Sequence, residues 1–386
     1  MVSPDTDAAA RVHDAPPSVD PPAGSFERVV AWSLLPLFLA TWRLFLLQTD
    51  YPSVGVLSLS PAAALTLSRV ATGVLIVLAT ALPFLGRRRR VGWTVVAVLV
   101  AVLAATDTHR LQPWLYLAGV LAALFATAGA SRLTAHRVVL VSLYLYSGLG
   151  KLDYQFVHTV GREFLDVATF GVADRWPDPA RVAAALAMPT LETVGGLLLI
   201  HRRTRPVGRW FITALHLSLI AVLGPWSLGH SAGVLVWNAV MIGYIQTLFR
   251  DDPPRIEDHP PIRLAAKLIT LVVVLAPLTE RLGYWDHWSS WQLYAPHTSR
   301  TDIDVLETAA TRLPESIRNH LGPPDPLGYQ RLDAAAWSLA ARGVPVYPQA
   351  RYQRRLGGTL AERYDLAGAV RMTERSAADR LTGRRD

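Results

Sequence analysis

The feature that most restricts this chain is the way its apolar residues are gathered. They fall into nine blocks, about 29–47, 63–85, 91–106, 112–130, 137–152, 182–200, 207–224, 230–249 and 262–279, separated by polar or basic stretches. A run of roughly 18–22 apolar residues makes a helix long enough to cross about 30 Å of hydrocarbon. The third and fifth blocks are short by that measure. A soluble chain of 386 residues would be read as two or three domains. Apolar residues in blocks argue instead for an all-α polytopic membrane protein, with about nine transmembrane helices over residues 29–280. A hydrophobic share of 51% and a mean hydropathy of +0.26 agree with that class.

The net charge of +8 could suggest a nucleic-acid partner, but its distribution argues against one. The arginines concentrate in short loops, "GRRRRVGW" (86–93), "SRLTAHR" (131–137) and "HRRTRPVGR" (201–209). With nine spans these loops share one side, which the positive-inside rule makes cytoplasmic. The opposing loops 48–62 and 225–229 contain no Lys or Arg, and 151–181 is roughly balanced. The expectation is an integral plasma or inner-membrane protein with a cytoplasmic N-terminus and an extracytoplasmic C-terminal segment. The mixed loop "RDDPPRIEDHPP" (250–261) favours neither side. Residues 1–28 are rich in Pro, Ala and Asp, lack the marks of a secretory signal, and read as a disordered tail. Cysteine is absent, which excludes disulfides, thiol redox chemistry and Cys-ligated metals.

Residues 281–386 read as a small α+β cap. "RTDIDVLE" (300–307) alternates Asp302 and Asp304 with Ile303 and Val305, the period of a half-buried strand. "YQRLDAAAWSLAARG" (329–343) reads as a helix closed by Gly343, "RRLGGTLAERY" as a weaker helix and "AGAVRMT" as a last strand. The five aromatic residues of "GYWDHWSSWQLYAP" (283–296) suit a belt at headgroup depth.

The fifth block ends in "LYLYSGLGKLDYQF" (143–156), which places Lys151 where a charge is expensive. On a helix Tyr144, Ser147, Gly148 and Lys151 share one face, with small residues that admit a close neighbour. One reading is a snorkelling lysine paired with Asp153. The other is a partly desolvated amine acting as a general base. Spacing does not choose between them.

"YSGLGKLDYQF" (146–156) resembles the signature of the horizontally transferred transmembrane (HTTM) domain, the membrane half of vitamin K-dependent gamma-carboxylases and of bacterial relatives. "HLSLIAVLGPWSLGHSAGVLVWNAVM" (216–241) and "WSSWQLYAPHTSR" (288–300) fit the same resemblance, which extends over roughly 29–300. It implies that Lys151 deprotonates a quinol, menaquinol or vitamin K-like, with Asp153 also matching. Gly150 stands where the animal enzyme has a second lysine. The large lumenal region that captures a substrate propeptide is replaced by the short cap, which puts glutamate carboxylation in doubt.

Glu192 and His216 fall near the middle of the sixth and seventh spans, where titratable groups face the bundle interior and are functional candidates by default. The alternative is an interhelical pair with Arg69 or Asn238. Arg43, near a span end, reads as snorkelling. His230 and His297 lie on outside loops as candidate proton shuttles; Asp107 and His109 share another such loop. In this topology Lys151, Asp153, His230, Trp226, Trp288, Trp291 and His297 all reach one membrane face. Such a rim suits an amphipathic, ring-bearing lipid such as a quinone, and an ordinary interfacial belt accounts for the tryptophans alone. Expected partners are membrane lipids or a quinone, and a protein substrate or partner at the outer face. No nucleotide-binding loop, HExxH or GxSxG is present, and no metal is expected. A quinol- or lipid-directed enzyme leads, with a non-enzymatic lipid- or partner-binding scaffold as the alternative. A transporter is weakest, because matching broken helices are not visible in two halves.

Overall fold

The computed structural model describes residues 24–47, 49–57, 59–128, 133–250 and 264–385. The expected tail through residue 23, part of the 131–137 loop and nearly all of the 250–261 loop lie outside the described residues.

The membrane part is helical. In chain order it runs through α1 (Ser25–Ala40), α2 (Trp42–Leu46), α3 (Pro61–Ala81), α4 (Arg89–Thr106), α5 (Pro113–Ala128), α6 (Thr134–Lys151), α7 (Tyr154–His158), α8 (Val160–Ala168), α9 (Asp178–Leu198), α10 (Arg205–Leu223), α11 (Ala232–Leu248) and α12 (Leu264–Leu275), then a 3₁₀ run Ala276–Leu282. Helix α1 begins inside the stretch expected as a tail. The first apolar block is broken at Thr41, whose hydroxyl bonds back to the Leu37 carbonyl at 2.7 Å. Helix α3 starts sharply because Ser60 accepts from the Ala63 amide and Pro61 occupies the first helical position.

Each of the nine apolar blocks holds a helix. Yet among the described residues only Pro61–Phe84, Gly86–Thr106 and Arg205–Leu223 are long and apolar enough to cross a membrane by themselves. Nine crossings are therefore not established by length and composition. Helices α6 and α9 fall short in apolarity because of polar and charged residues, His136, Arg137 and Lys151 in α6 and Asp178, Arg181 and Glu192 in α9. The membrane core packs Phe26, Phe38, Trp93, Phe125 and Tyr244 among buried leucines and valines. At the end of α4 remote from the cap, buried Glu27 accepts from Trp93 Nε1 at 2.8 Å and pairs with Arg89 at 3.2 Å.

The cap contains β1 (Arg300–Leu306), short helices α13 (Glu307–Ala310) and α14 (Glu315–Arg318), β2 (Leu321–Pro324), β3 (Tyr329–Leu332), α15 (Ala334–Arg342), α16 (Ala350–Arg363) and β4 (Val370–Arg375). Its antiparallel sheet has the order β2-β3-β1-β4, with Val305 opposite Gln330 on one side and Val370 on the other. Helix α16 lies on this sheet over Ile303, and Gly357 permits the approach: a Cβ there would sit 2.8 Å from Met372 Sδ.

Three expectations are corrected in this region. Residues 329–332 are a strand rather than the start of a helix, because pairing with β1 outweighs the helical pattern; Asp333 then caps α15 by accepting from the Ala336 amide at 2.9 Å. Asp304 is buried rather than on a wet strand face, held by Arg331 at 2.6 Å and Arg371 at 3.1 Å from the two flanking strands. The 283–296 aromatics do not form one belt: Tyr284 is 78% exposed, whereas Trp291 is 0% and Trp288 9% exposed, packed against Tyr116 and Tyr347.

The cap docks through a buried ionic knot. Arg342 pairs with Asp107 at 2.6 Å, donates to the Tyr51 and Pro52 carbonyls at 3.2 Å each, and lies over the Tyr51 ring. His109, expected on an exposed loop, is fully buried here and reaches the Pro345 carbonyl at 2.8 Å. The loops around residues 51, 107 and 154 thus gather at the cap end of the bundle.

Candidate functional site

Lys151 is positioned by small residues on two packed helices. A Cβ at Gly148 of α6 would lie 2.2 Å from Thr193 Oγ1, and one at Gly196 of α9 would lie 2.9 Å from Tyr144 Cβ. Their absence lets α6 and α9 approach closely, which brings Lys151 Nζ to 2.6 Å from Glu192 Oε2 and 2.8 Å from Ser147 Oγ. Lys151 therefore does not snorkel toward Asp153. The two side chains are 10% and 12% exposed, and what they are exposed to is a cavity.

That cavity has a volume of about 400 Å³ and lies between the bundle and the cap link, the stretch 343–349 that joins α15 to α16. Its polar floor is Ser147, Lys151, Glu192, His216 and Asn238; its walls include Val234, Trp237, Trp288 and Leu293, and Val344 and Val346 of the cap link close it. His216 is fixed on both sides, by Tyr144 Oη at 2.8 Å and Asn238 Oδ1 at 2.8 Å. Arg69 takes no part and instead bonds the Leu46 carbonyl.

The segment after the last membrane helix forms one wall. Trp291 and Tyr294 both have left-handed backbone, with φ of 61° and 59°, a conformation that disfavours side chains. It folds Gln292 inward against Gly150, where a Cβ would sit 1.4 Å from Gln292 Oε1. Glycine at 150 is thereby explained. Gln292 Oε1 is buried in the cavity wall without a hydrogen-bond partner. Two more polar positions remain on the floor: the third proton of Lys151, since an ammonium carries three donors, and the Glu192 oxygen not bonded to Lys151.

Behind this wall lies a second group. Asp153 caps α7 by accepting from the Phe156 amide at 2.7 Å, and its other oxygen meets His297 Nδ1 at 2.7 Å. His297 Nε2 faces Glu280 Oε2 at 3.6 Å, an ion-pair distance too long for a hydrogen bond, and Glu280 Oε1 meets His287 Nδ1 at 3.0 Å. The metal-ligating atoms of Glu280, His287 and His297 all lie within 4.8 Å of one another. Burial alone would raise both carboxyls, but the histidines hold Glu280 well below the usual range, and His297 with the Phe156 amide does the same for Asp153. Burial disfavours a charged His297, yet Asp153 and Glu280 outweigh it and raise its pKa; burial wins at His287 and lowers it.

The sequence-predicted residues thus divide. Lys151, Glu192, His216, His230 and Trp288 line the cavity. Asp153 and His297 belong to the cluster behind it. Trp291 is core. Trp226 is 71% exposed, and its ring folds back over Gly224, where a Cβ would lie 2.5 Å from it, so that the indole nitrogen donates to the Ala221 carbonyl. Sequence reasoning passed over Glu280, His287 and Gln292; a Thr-Glu-Arg step closing the last apolar block was the available signal.

Comparison with known proteins changes one expectation. No curated protein and no solved structure matches the chain. The family model that does match, Methylamine utilisation protein MauE, covers residues 132–228, about a quarter of the chain. The HTTM resemblance is overturned by this match, which takes in its signature stretch. Gly, Lys and aromatic residues at helix ends carried that resemblance, and here they serve helix approach, cap packing and an ion pair. Over the part that holds Lys151, Asp153, Glu192 and His216, the chain is similar to the MauE family of membrane proteins.

Proposed function

We propose that this membrane protein binds an amphipathic, ring-bearing lipid such as a quinol in the cavity above Lys151 and Glu192, and exchanges a proton with its hydroxyl group. The observation that carries the reading is a buried lysine–carboxylate pair opening onto a largely apolar cavity, with His216 and Asn238 beside it on the same floor. Apolar walls with a few convergent polar groups are the usual form of a small-molecule site. A buried ion pair is weak support for stability, because desolvation offsets its attraction. The pair holds one transferable proton: as ammonium and carboxylate, Glu192 is the acceptor for a ligand hydroxyl and Lys151 the donor to the resulting oxygen. With the proton on Glu192, Lys151 becomes the base.

The topology proposed with this reading has nine crossings, a cytoplasmic N-terminus and the cap outside. It is supported by the position of the two loops without Lys or Arg, 48–62 and 225–229, beside the cap while the Arg87–Arg90 run lies at the far end of α4. Because the chain has no cysteine, Trp226→Cys and Arg88→Cys are clean single-site reporters. In intact cells a membrane-impermeant maleimide should label the first and spare the second; the reverse pattern would invert the topology.

The direct test is equilibrium binding of a short-chain naphthoquinol to nanodisc-held protein. Wild type should bind, with Lys151→Ala and Glu192→Gln weakened at least tenfold while still folded. Equal binding by all three would remove the proposal and leave a scaffold. A second reading, a membrane component of methylamine utilisation, draws its support from the MauE match alone. Unimpaired growth of a deletion strain on methylamine would dismiss it.

A further inference from the structure

We propose that Glu280, His287 and His297 bind a divalent transition-metal ion of the zinc class, with Asp153 orienting His297 from behind. The sequence expectation was no metal, from the absence of cysteine and of HExxH; Glu280, His287 and His297 stand seven and ten residues apart, which matches no metal motif. Folding of the 283–299 segment beneath the cap is what brings them together. The donor chemistry fits: two imidazoles and one carboxylate are a recurrent ligand set for zinc, leaving a fourth position open. The spacing fits as well. Bonds of about 2.1 Å in a tetrahedron set donor atoms about 3.4 Å apart; Glu280 Oε1 lies 3.0 Å from His287 Nδ1, Glu280 Oε2 lies 3.6 Å from His297 Nε2, and one donor atom from each of the three residues falls within 4.8 Å of the other two.

An independent observation points the same way. His297 is 1% exposed, and its Nε2 has no hydrogen-bond partner although it is aimed at Glu280. Its Nδ1 is committed to Asp153 at 2.7 Å. A neutral imidazole that donates from Nδ1 presents a lone pair at Nε2. Lone pair and carboxylate oxygen then face each other across 3.6 Å, an arrangement that a cation between them stabilises. The carboxylate–histidine–metal relay is the usual second layer of such sites, fixing the tautomer and raising ligand basicity. The two carboxylates, Asp153 and Glu280, are buried side by side with the histidines, and Arg281 lies 3.7 Å from Asp153. The occupant that competes with a metal is a proton on His297. His287 also lines the cavity, so the ion would lie at the cavity wall and does not depend on what the cavity binds.

The test is metal analysis of tag-free protein, followed by chelation and titration with Co²⁺ alone, read by its visible absorption. Wild type should bind close to one equivalent, and Lys151→Ala should bind equally, which separates this site from the proposed lipid site. His297→Ala and the conservative Glu280→Gln should lose binding, and Asp153→Asn should weaken it by about 10–100-fold. If His297→Ala fails to fold, Glu280→Gln decides. No metal in wild type together with no Co²⁺ binding overturns the proposal, as does Co²⁺ binding that Glu280→Gln leaves unchanged.

Discussion

Two buried ion pairs in this molecule have the same length and opposite surroundings. Arg342–Asp107 and Lys151–Glu192 both measure 2.6 Å. Around Arg342 the guanidinium is tied into the fold by Asp107, two backbone carbonyls, His109 Nδ1 at 3.2 Å and the Tyr51 ring, and Asp107 itself is 0% exposed. Around Lys151 one side is open cavity, and the Lys151 and Glu192 side chains are 10% and 12% exposed to it. A bridge's length therefore says little about its purpose. What is left open around it separates a clamp that holds two parts of the fold from a pair available to a ligand.

Breaking each pair should show the difference. Arg342→Ala strands Asp107 in a closed site, and removing one partner of such a pair typically costs about 3–5 kcal/mol. The cap should loosen, seen as a lower melting temperature and new proteolytic cuts in the 300–385 region. Lys151→Ala leaves Glu192 beside a cavity that water can enter, so the expected loss is smaller, about 1–2 kcal/mol, while ligand binding falls at least tenfold. Equal destabilisation by the two variants would erase the distinction.

A pH titration sharpens it. Burial and the adjacent Arg342 push the His109 imidazole down to about 3, and Asp107 is also lowered, its burial being outweighed by Arg342, Arg110 and His109 together. Both folded values lie below the unfolded ones, about 6.5 and 3.9, so the unfolded chain binds more protons. Their contribution is complete above about pH 6.5 and is lost as pH falls toward 3. His109→Gln should flatten the acid side of the melting curve, measured by scanning calorimetry between pH 7 and 4. A variant with an unchanged slope would place the acid sensitivity elsewhere.

Gly150→Ala is a milder probe of the cavity wall. The new methyl collides with the flexible end of Gln292, so overpacking of about 1 kcal/mol is expected, with a several-fold drop in affinity as the amide is displaced. Least of all, Trp226→Ala, outside the cavity, should change stability by less than about 0.5 kcal/mol and leave binding intact.

How far these regions were legible differs in the same way. Block length and arginine placement anticipated a helical membrane protein, because hydrophobicity and loop charge are local properties of the chain. Strand β1 and helix α16 were legible from period and composition, whereas Tyr329–Leu332 was not, since its strand state depends on a partner strand. Lys151 stood out, but its partner is Glu192, 41 residues away, and only the packing of Gly148 and Gly196 selects it. Asp107 and His109 drew little interest because nothing in a short polar loop announces that a cap will cover it. Trp226 and Trp291 were grouped by residue type, yet one faces outward and the other is core. Glu280 and His287 acquire meaning only when His297 folds back beside them.

The most direct measurement is mass spectrometry of lipids extracted from protein purified in mild detergent, comparing wild type with Lys151→Ala and Glu192→Gln. An amphipathic ring-bearing lipid at near-stoichiometric amount in wild type, and depleted in both variants at unchanged folding, is the expected result. Bulk phospholipid alone in all three samples would contradict a ligand site above Lys151 and return the pair to a structural role.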